Sequence, residues 1–149
     1  MIKILIIVFS LFSNAIFASD EKPGRFFEDQ PDVTDEPQVH FIYLLNKDSE
    51  DREWDINGKM EKELLEANKK MLEMTKGNQK FRFDLREDGK MDISFVRFDK
   101  QYEGNYGMNY PDAHLTKLGF NNPNKLYFSW VDVGPVSYTH LTLPTIRWV

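Results

Sequence analysis

An α/β (α+β) fold, a mixed twisted sheet backed by one long helix, is what three stretches of this sequence predict. The run Val39-His40-Phe41-Ile42-Tyr43-Leu44-Leu45 is almost continuously apolar, the pattern of a strand covered on both faces. Met60, Leu64, Ala67, Met71 and Met74 recur at spacings of three and four, joined by Leu65 and Leu72, which draws one apolar stripe down a helix. Residues 81–86 and 91–95 alternate apolar and polar around Glu87-Asp88-Gly89-Lys90, as an antiparallel hairpin does.

Taken in order, residues 19–38 hold several acids and prolines and only Phe26, Phe27 and Val33 as large apolar residues. Little apolar surface is available there to offset ordering entropy, and a flexible acidic leader is expected. The first strand follows, bounded by Pro37 and by Asn46-Lys47-Asp48. A polar loop leads to the long helix, with Asp55 or Asn57 placed to cap its start and Gly77 to terminate it; its apolar stripe is expected to pack in the core. In the hairpin, Phe81, Phe83, Leu85, Met91, Ile93 and Phe95 share the covered face, and Arg82, Asp84, Arg86, Asp92 and Ser94 point the other way. Val96 and Phe98 break the alternation, which calls for a bulge or a second covered face. After a loop containing Gly104 and Gly107, residues 110–119 suit a short helix with Pro111 in its first turn and Gly119 beyond its end. Residues 125–133 return as a mostly buried strand.

The two ends read differently. Met1 to Ala18 places one lysine before an apolar run and then the small residues Ser13, Asn14, Ala15 and Ala18. That is the pattern of a secretory signal, too short to span a bilayer, so the mature protein is expected outside the cytoplasm, secreted, periplasmic or on the cell surface, with no stable membrane span. Val136 to Thr145 match, in order, the translation of GTC TCT TAT ACA CAT CTG ACG CTG CCG ACG, and residues 136–149 resemble a translated sequencing adapter. The expected organisation is a signal at 1–18, a leader at 19–38, a truncated α/β domain at 39–134 and a non-native tail at 136–149.

The whole chain carries a net charge of −5 and no cysteine. It lacks the basic stripe that phosphate neutralisation requires, which argues against a nucleic-acid partner, and it has neither disulfides nor thiolate chemistry. Glu53 to Gly58 superficially resembles a calcium loop, but the position of the bidentate glutamate is Leu64; Asp48, Asp51 and Asp55 remain candidates to gather around a hard cation. His40 is expected as a half-buried strand residue and His114 as a solvated helix residue. No His-Glu-x-x-His helix and no nucleophile-elbow serine occur, and Asp84 with Asp92 is the only facing carboxylate pair the hairpin suggests. No catalytic, cofactor-binding or metal-ligating residue is therefore assigned in this chain.

The element order, together with the run 39–45, Asp48-Ser49-Glu50-Asp51-Arg52 with Asp55 and Gly58, Thr75-Lys76-Gly77, Phe81-Arg82-Phe83-Asp84, Asp92-Ile93-Ser94-Phe95 and Lys125-Leu126-Tyr127, resembles the N-terminal part of secreted bacterial zinc metallopeptidases of metzincin type. In that group a twisted sheet and backing helix precede a metal-binding helix. The resemblance implies a parent enzyme that uses zinc on a peptide substrate and a chain that is inactive as given. None of the family's metal ligands falls on a residue of this sequence. The other expectation is a secreted or surface module that holds a sugar or peptide on Trp54, Tyr102, Tyr106 and Tyr110.

Overall fold

The computed structural model describes residues 20–101 and 109–132. The signal-like residues 1–18, the loop aromatics Tyr102 and Tyr106 and the adapter-like residues 136–149 lie outside them. Five elements follow in order: β1 (Gln38–Leu45), α1 (Lys59–Met74), β2 (Ile93–Arg97), α2 (Asn109–Lys117) and β3 (Lys125–Asp132). They form an α/β fold, with a three-stranded sheet ordered β2-β1-β3.

Both neighbours of β1 run parallel to it, β2 from Phe41↔Ile93 to Leu45↔Arg97 and β3 from Gln38↔Lys125 to Leu45↔Asp132. A parallel neighbour needs a long crossover, which α1 supplies before β2 and α2 before β3. Every residue of β1 is buried, as its apolar sequence requires. Val39, Phe41, Tyr43 and Leu45 pack with Met60 and Leu64 of α1 and with Ile93 and Phe95. On the other face Ile42 and Leu44 meet Val96, Phe98, Leu115 and Phe120. Val96 and Phe98 thus serve a second covered face.

The expected antiparallel hairpin is corrected. Between the two arms only Leu85↔Met91 forms an antiparallel bridge, supported by Arg86 N–H donating to Lys90 O at 2.9 Å and Asp92 N–H to Asp84 O at 2.9 Å. The second arm leaves the turn to become β2, because residues apolar on both sides gain more beside the fully covered β1 than beside a half-polar arm. The first arm instead bridges β1 in parallel at Val39↔Phe83. Gly89, at φ +79°, supplies the left-handed position of the turn.

The helix stripe is buried only in part. Met60 and Leu64 are core, whereas Leu65 is 54% and Met74 84% exposed. A 16-residue helix reaches about 24 Å, and its second half borders an open groove lined by Leu65, Met71, Phe81, Phe83 and Met91. Gly58 occupies the N-cap without a side-chain cap, while Asn57 Oδ1 accepts from Lys59 N–H at 2.9 Å.

The largest departure concerns the leader. Residues 20–38 lie against the sheet. Phe26 bridges Ser94, with Phe95 N–H donating to Phe26 O at 2.7 Å, and the Phe27 ring meets Phe95 edge-on at 5.8 Å. The Arg25 side chain is fully buried, its guanidinium 3.9 Å from the Phe95 ring centre and hydrogen-bonded in fork geometry to Asp51 and Asp55 at 2.7–3.1 Å. Charge pairing supplies what the sparse apolar residues do not.

Phe95 joins the core to the leader, so Phe95→Ala is expected to lower the unfolding free energy by about 3–5 kcal/mol, whereas Leu65→Ala, on the exposed flank of α1, changes it by less than about 0.5 kcal/mol. Urea titration of the two variants checks the contrast; equal effects would contradict the assignment of the core.

Candidate functional site

A polar cluster lies at the amino ends of the three strands, beneath the leader. His40 stands near the start of β1, Ser94 near the start of β2, and Lys125 and Tyr127 open β3. Asp84 is fixed by its backbone, donating to Val39 O at 2.9 Å and accepting from Asp92 N–H at 2.9 Å. The leader adds Asp29 and Asp32. His40, Asp84, Asp92 and Ser94 are each no more than 1% exposed.

His40 Nδ1 lies 2.8 Å from Asp84 Oδ2 and 3.6 Å from both Asp29 Oδ1 and Asp92 Oδ2. Its Nε2 lies 2.9 Å from Ser94 Oγ. Lys125 Nζ joins Asp29, Asp32 Oδ1 at 2.5 Å and Asp84 Oδ2 at 2.6 Å, and Tyr127 O–H donates to Asp29 Oδ2 at 2.8 Å. Gln30 N–H donates to Asp92 Oδ2 at 2.8 Å, while Asp92 Oδ1 is buried without a hydrogen-bond partner.

The electrostatics follow from this crowding. Burial pushes the Asp84 carboxyl up, but hydrogen bonds from His40 and Lys125 and the Lys125 charge bring it below the ordinary carboxylate range. Burial raises Asp92, only partly opposed by the Gln30 N–H and His40, with Asp84 and Asp29 adding to the rise. Lys125 loses charge stability to burial and more than regains it from Asp29, Asp32 and Asp84, so its ammonium is held charged. The Tyr127 hydroxyl is pushed up to about 12, chiefly by burial, with Asp29 beside it.

Ser94, His40 and Asp84 have the connectivity of a hydrolytic triad, with His40 Nδ1 on Asp84 and Nε2 on Ser94 Oγ. Ser94 Oγ also lies 3.1 Å from the Glu28 carbonyl, a second acceptor for its single proton. The serine is wholly buried, and in open α/β sheets chemistry gathers at the carboxyl ends of the strands, the opposite end from this cluster. Asp84 and Asp92 sit too deep for a sugar to reach.

The other sequence candidates are placed elsewhere. Asp51 and Asp55 do gather around a cation, but it is the Arg25 guanidinium, with Lys22 Nζ at 3.1 Å from Asp51; Asp48 is exposed and outside this group. Against burial, the bonds from Arg25, Glu53 N–H and Lys22 bring Asp51 down to about 2. His114 packs on the Phe98 ring at 5.3 Å. Trp54 is partly buried against Tyr43 and Trp130 at 6.0 Å each, so it belongs to the core; Tyr110 lies in α2. His40 is fully buried, deeper than its sequence position suggests, and the cluster that forms on it was not visible in the sequence. The signal that pointed to it was alternation: Asp84, Asp92 and Ser94 share the face opposite the hydrophobic one, and something had to cover them.

Two outcomes follow. Lys125→Met leaves Asp29 and Asp84 without their buried cation and is expected to cost about 3–5 kcal/mol of stability in urea titration; a loss below 1 kcal/mol would contradict the pairing. Asp51 has a folded value below its unfolded one, so its contribution is present above pH 3.8 and lost as pH falls toward about 2. That loss amounts to roughly 2 kcal/mol, and Asp51→Asn should flatten the dependence of stability on pH across that window.

No protein-family model matches this chain, and no curated protein or solved structure matches it.

Proposed function

We propose that the chain is the exported N-terminal part of a zinc-dependent metallopeptidase and is inactive as given. The observation that carries the reading is the crossover scaffold: a parallel β2-β1-β3 sheet with α1 spanning the β1-to-β2 connection. A scaffold of this kind, with its backing helix, precedes the metal-binding helix in the enzymes that the sequence resembles. The sequence contains no His-Glu-x-x-His helix, so no catalytic step is assigned to its residues. In the parent, zinc would polarise the peptide carbonyl and activate water. The complete burial of Ser94 argues against a serine-hydrolase reading. Among the described residues no helix is long and apolar enough to cross a membrane.

The intact gene, sequenced past the codon for Gly134, is expected to encode a zinc-ligand helix, and its full product to hydrolyse casein in a chelator-sensitive way, while the present chain does not. A continuation without such a helix, or chelator-sensitive hydrolysis by this chain alone, would overturn the proposal.

A further inference from the structure

Asn57 and Gly58 form the only Asn-Gly pair in the sequence, and the structure sets them at the turn into α1. Both residues are exposed. Asn57 Oδ1 accepts from Lys59 N–H at 2.9 Å, an Asx turn that folds the carboxamide back across Gly58. Its Nδ2 donates to Arg52 O at 3.0 Å. Gly58 sits at φ +80°, and nothing lies within 4 Å of the place a Cβ would take, so water and base reach its peptide nitrogen. Among the described residues that N–H has no hydrogen-bond acceptor. Every other asparagine precedes a residue with a side chain, whose Cβ crowds the following nitrogen. Asn68 is in addition tied through both amide atoms to the Phe81 backbone. Asp88-Gly89 shares the glycine, but Asp88 has no amide to release.

We propose that Asn57 is a site of spontaneous deamidation, with water as co-reactant, and that the conversion loosens the clasp on the leader. The Gly58 N–H gives its proton to solvent base, and the nitrogen attacks Asn57 Cγ. The new N–Cγ bond forms, the Cγ–Nδ2 bond breaks, and the amide nitrogen leaves as ammonia. Water then opens the succinimide at either carbonyl, leaving aspartate or isoaspartate and one added negative charge. Both products lose the Nδ2–H bond to Arg52 O, and isoaspartate also inserts a methylene into the main chain. Arg52 stands in the loop whose Asp51 and Asp55 hold Arg25 of the leader, so slack enters the segment that carries the clasp. The site is independent of the peptidase reading.

The test incubates the full chain at mildly alkaline pH beside a short peptide containing the same Ile-Asn-Gly-Lys run. The folded chain is expected to gain one mass unit and one negative charge, read by intact mass and isoelectric focusing, with isoaspartate mapped to position 57. Conversion should lower Tm by roughly 4 °C, the weight of one hydrogen bond. Asn57→Ser, whose hydroxyl keeps the turn but offers no amide, should show none of these changes. An unconverted chain after the peptide has fully reacted, modification at another asparagine instead, or an unaltered Tm in the converted chain would overturn the proposal.

Discussion

A carboxylate taken out of water needs a cation beside it, since its unpaired burial costs several kcal/mol, and the architecture of this protein turns on how that requirement is met at the amino ends of three strands. Asp84 and Asp92 are as deeply buried as the leucines of β1. They tolerate that position because Lys125 and the His40 ring lie against them. Burial alone pushes both carboxyls up. Hydrogen bonds and the Lys125 charge tip Asp84 to the ionised side, whereas Asp92, with a single backbone donor, moves the other way.

The same requirement orders the leader. Its acids and bases answer partners on the body: Asp20 pairs with Arg97 at 2.9 Å, Lys22 with Asp51 and Glu53, Arg25 with Asp51 and Asp55, and Asp29 and Asp32 with Lys125. The pairs differ in weight. Those at the rim, such as Lys22 with Glu53, are screened by water and salt and contribute little. Arg25 and Lys125 are sealed from solvent, and losing either would strand charges in the interior. The leader therefore forms part of the sheet's cover, and the polar side of the Phe81–Phe95 region becomes interior because of it.

Fold class and the order of elements were legible because periodicity reports burial: the unbroken apolar run of β1 and the three-and-four spacing of Met60 and Leu64 each have one structural meaning. Alternation in 81–86 and 91–95 was equally clear, but it states only which side chains share a face. Whether the arms pair with each other or with a third strand depends on the partner surface, and β1 offered the better one to Ile93 and Phe95. The leader was misread for a related reason. Hydropathy registers apolar content, and Arg25 has none to offer, although its fork geometry and flat contact on Phe95 anchor the segment as firmly as a leucine would. The His40 cluster draws residues from 29 to 127, and no local pattern ties them together.

The burial of Asp84 and Asp92 depends on the leader being an integral layer of the domain. Amide hydrogen exchange measured residue by residue tests that point most directly. The Gln30 amide, bonded to Asp92, and the Phe95 amide, bonded to Phe26, should exchange as slowly as the amides of β1, because each opens only when the whole domain unfolds. Exchange of Gln30 at the rate of an exposed loop, while β1 stays protected, would show that the leader detaches freely and that the buried carboxylates are covered by something else.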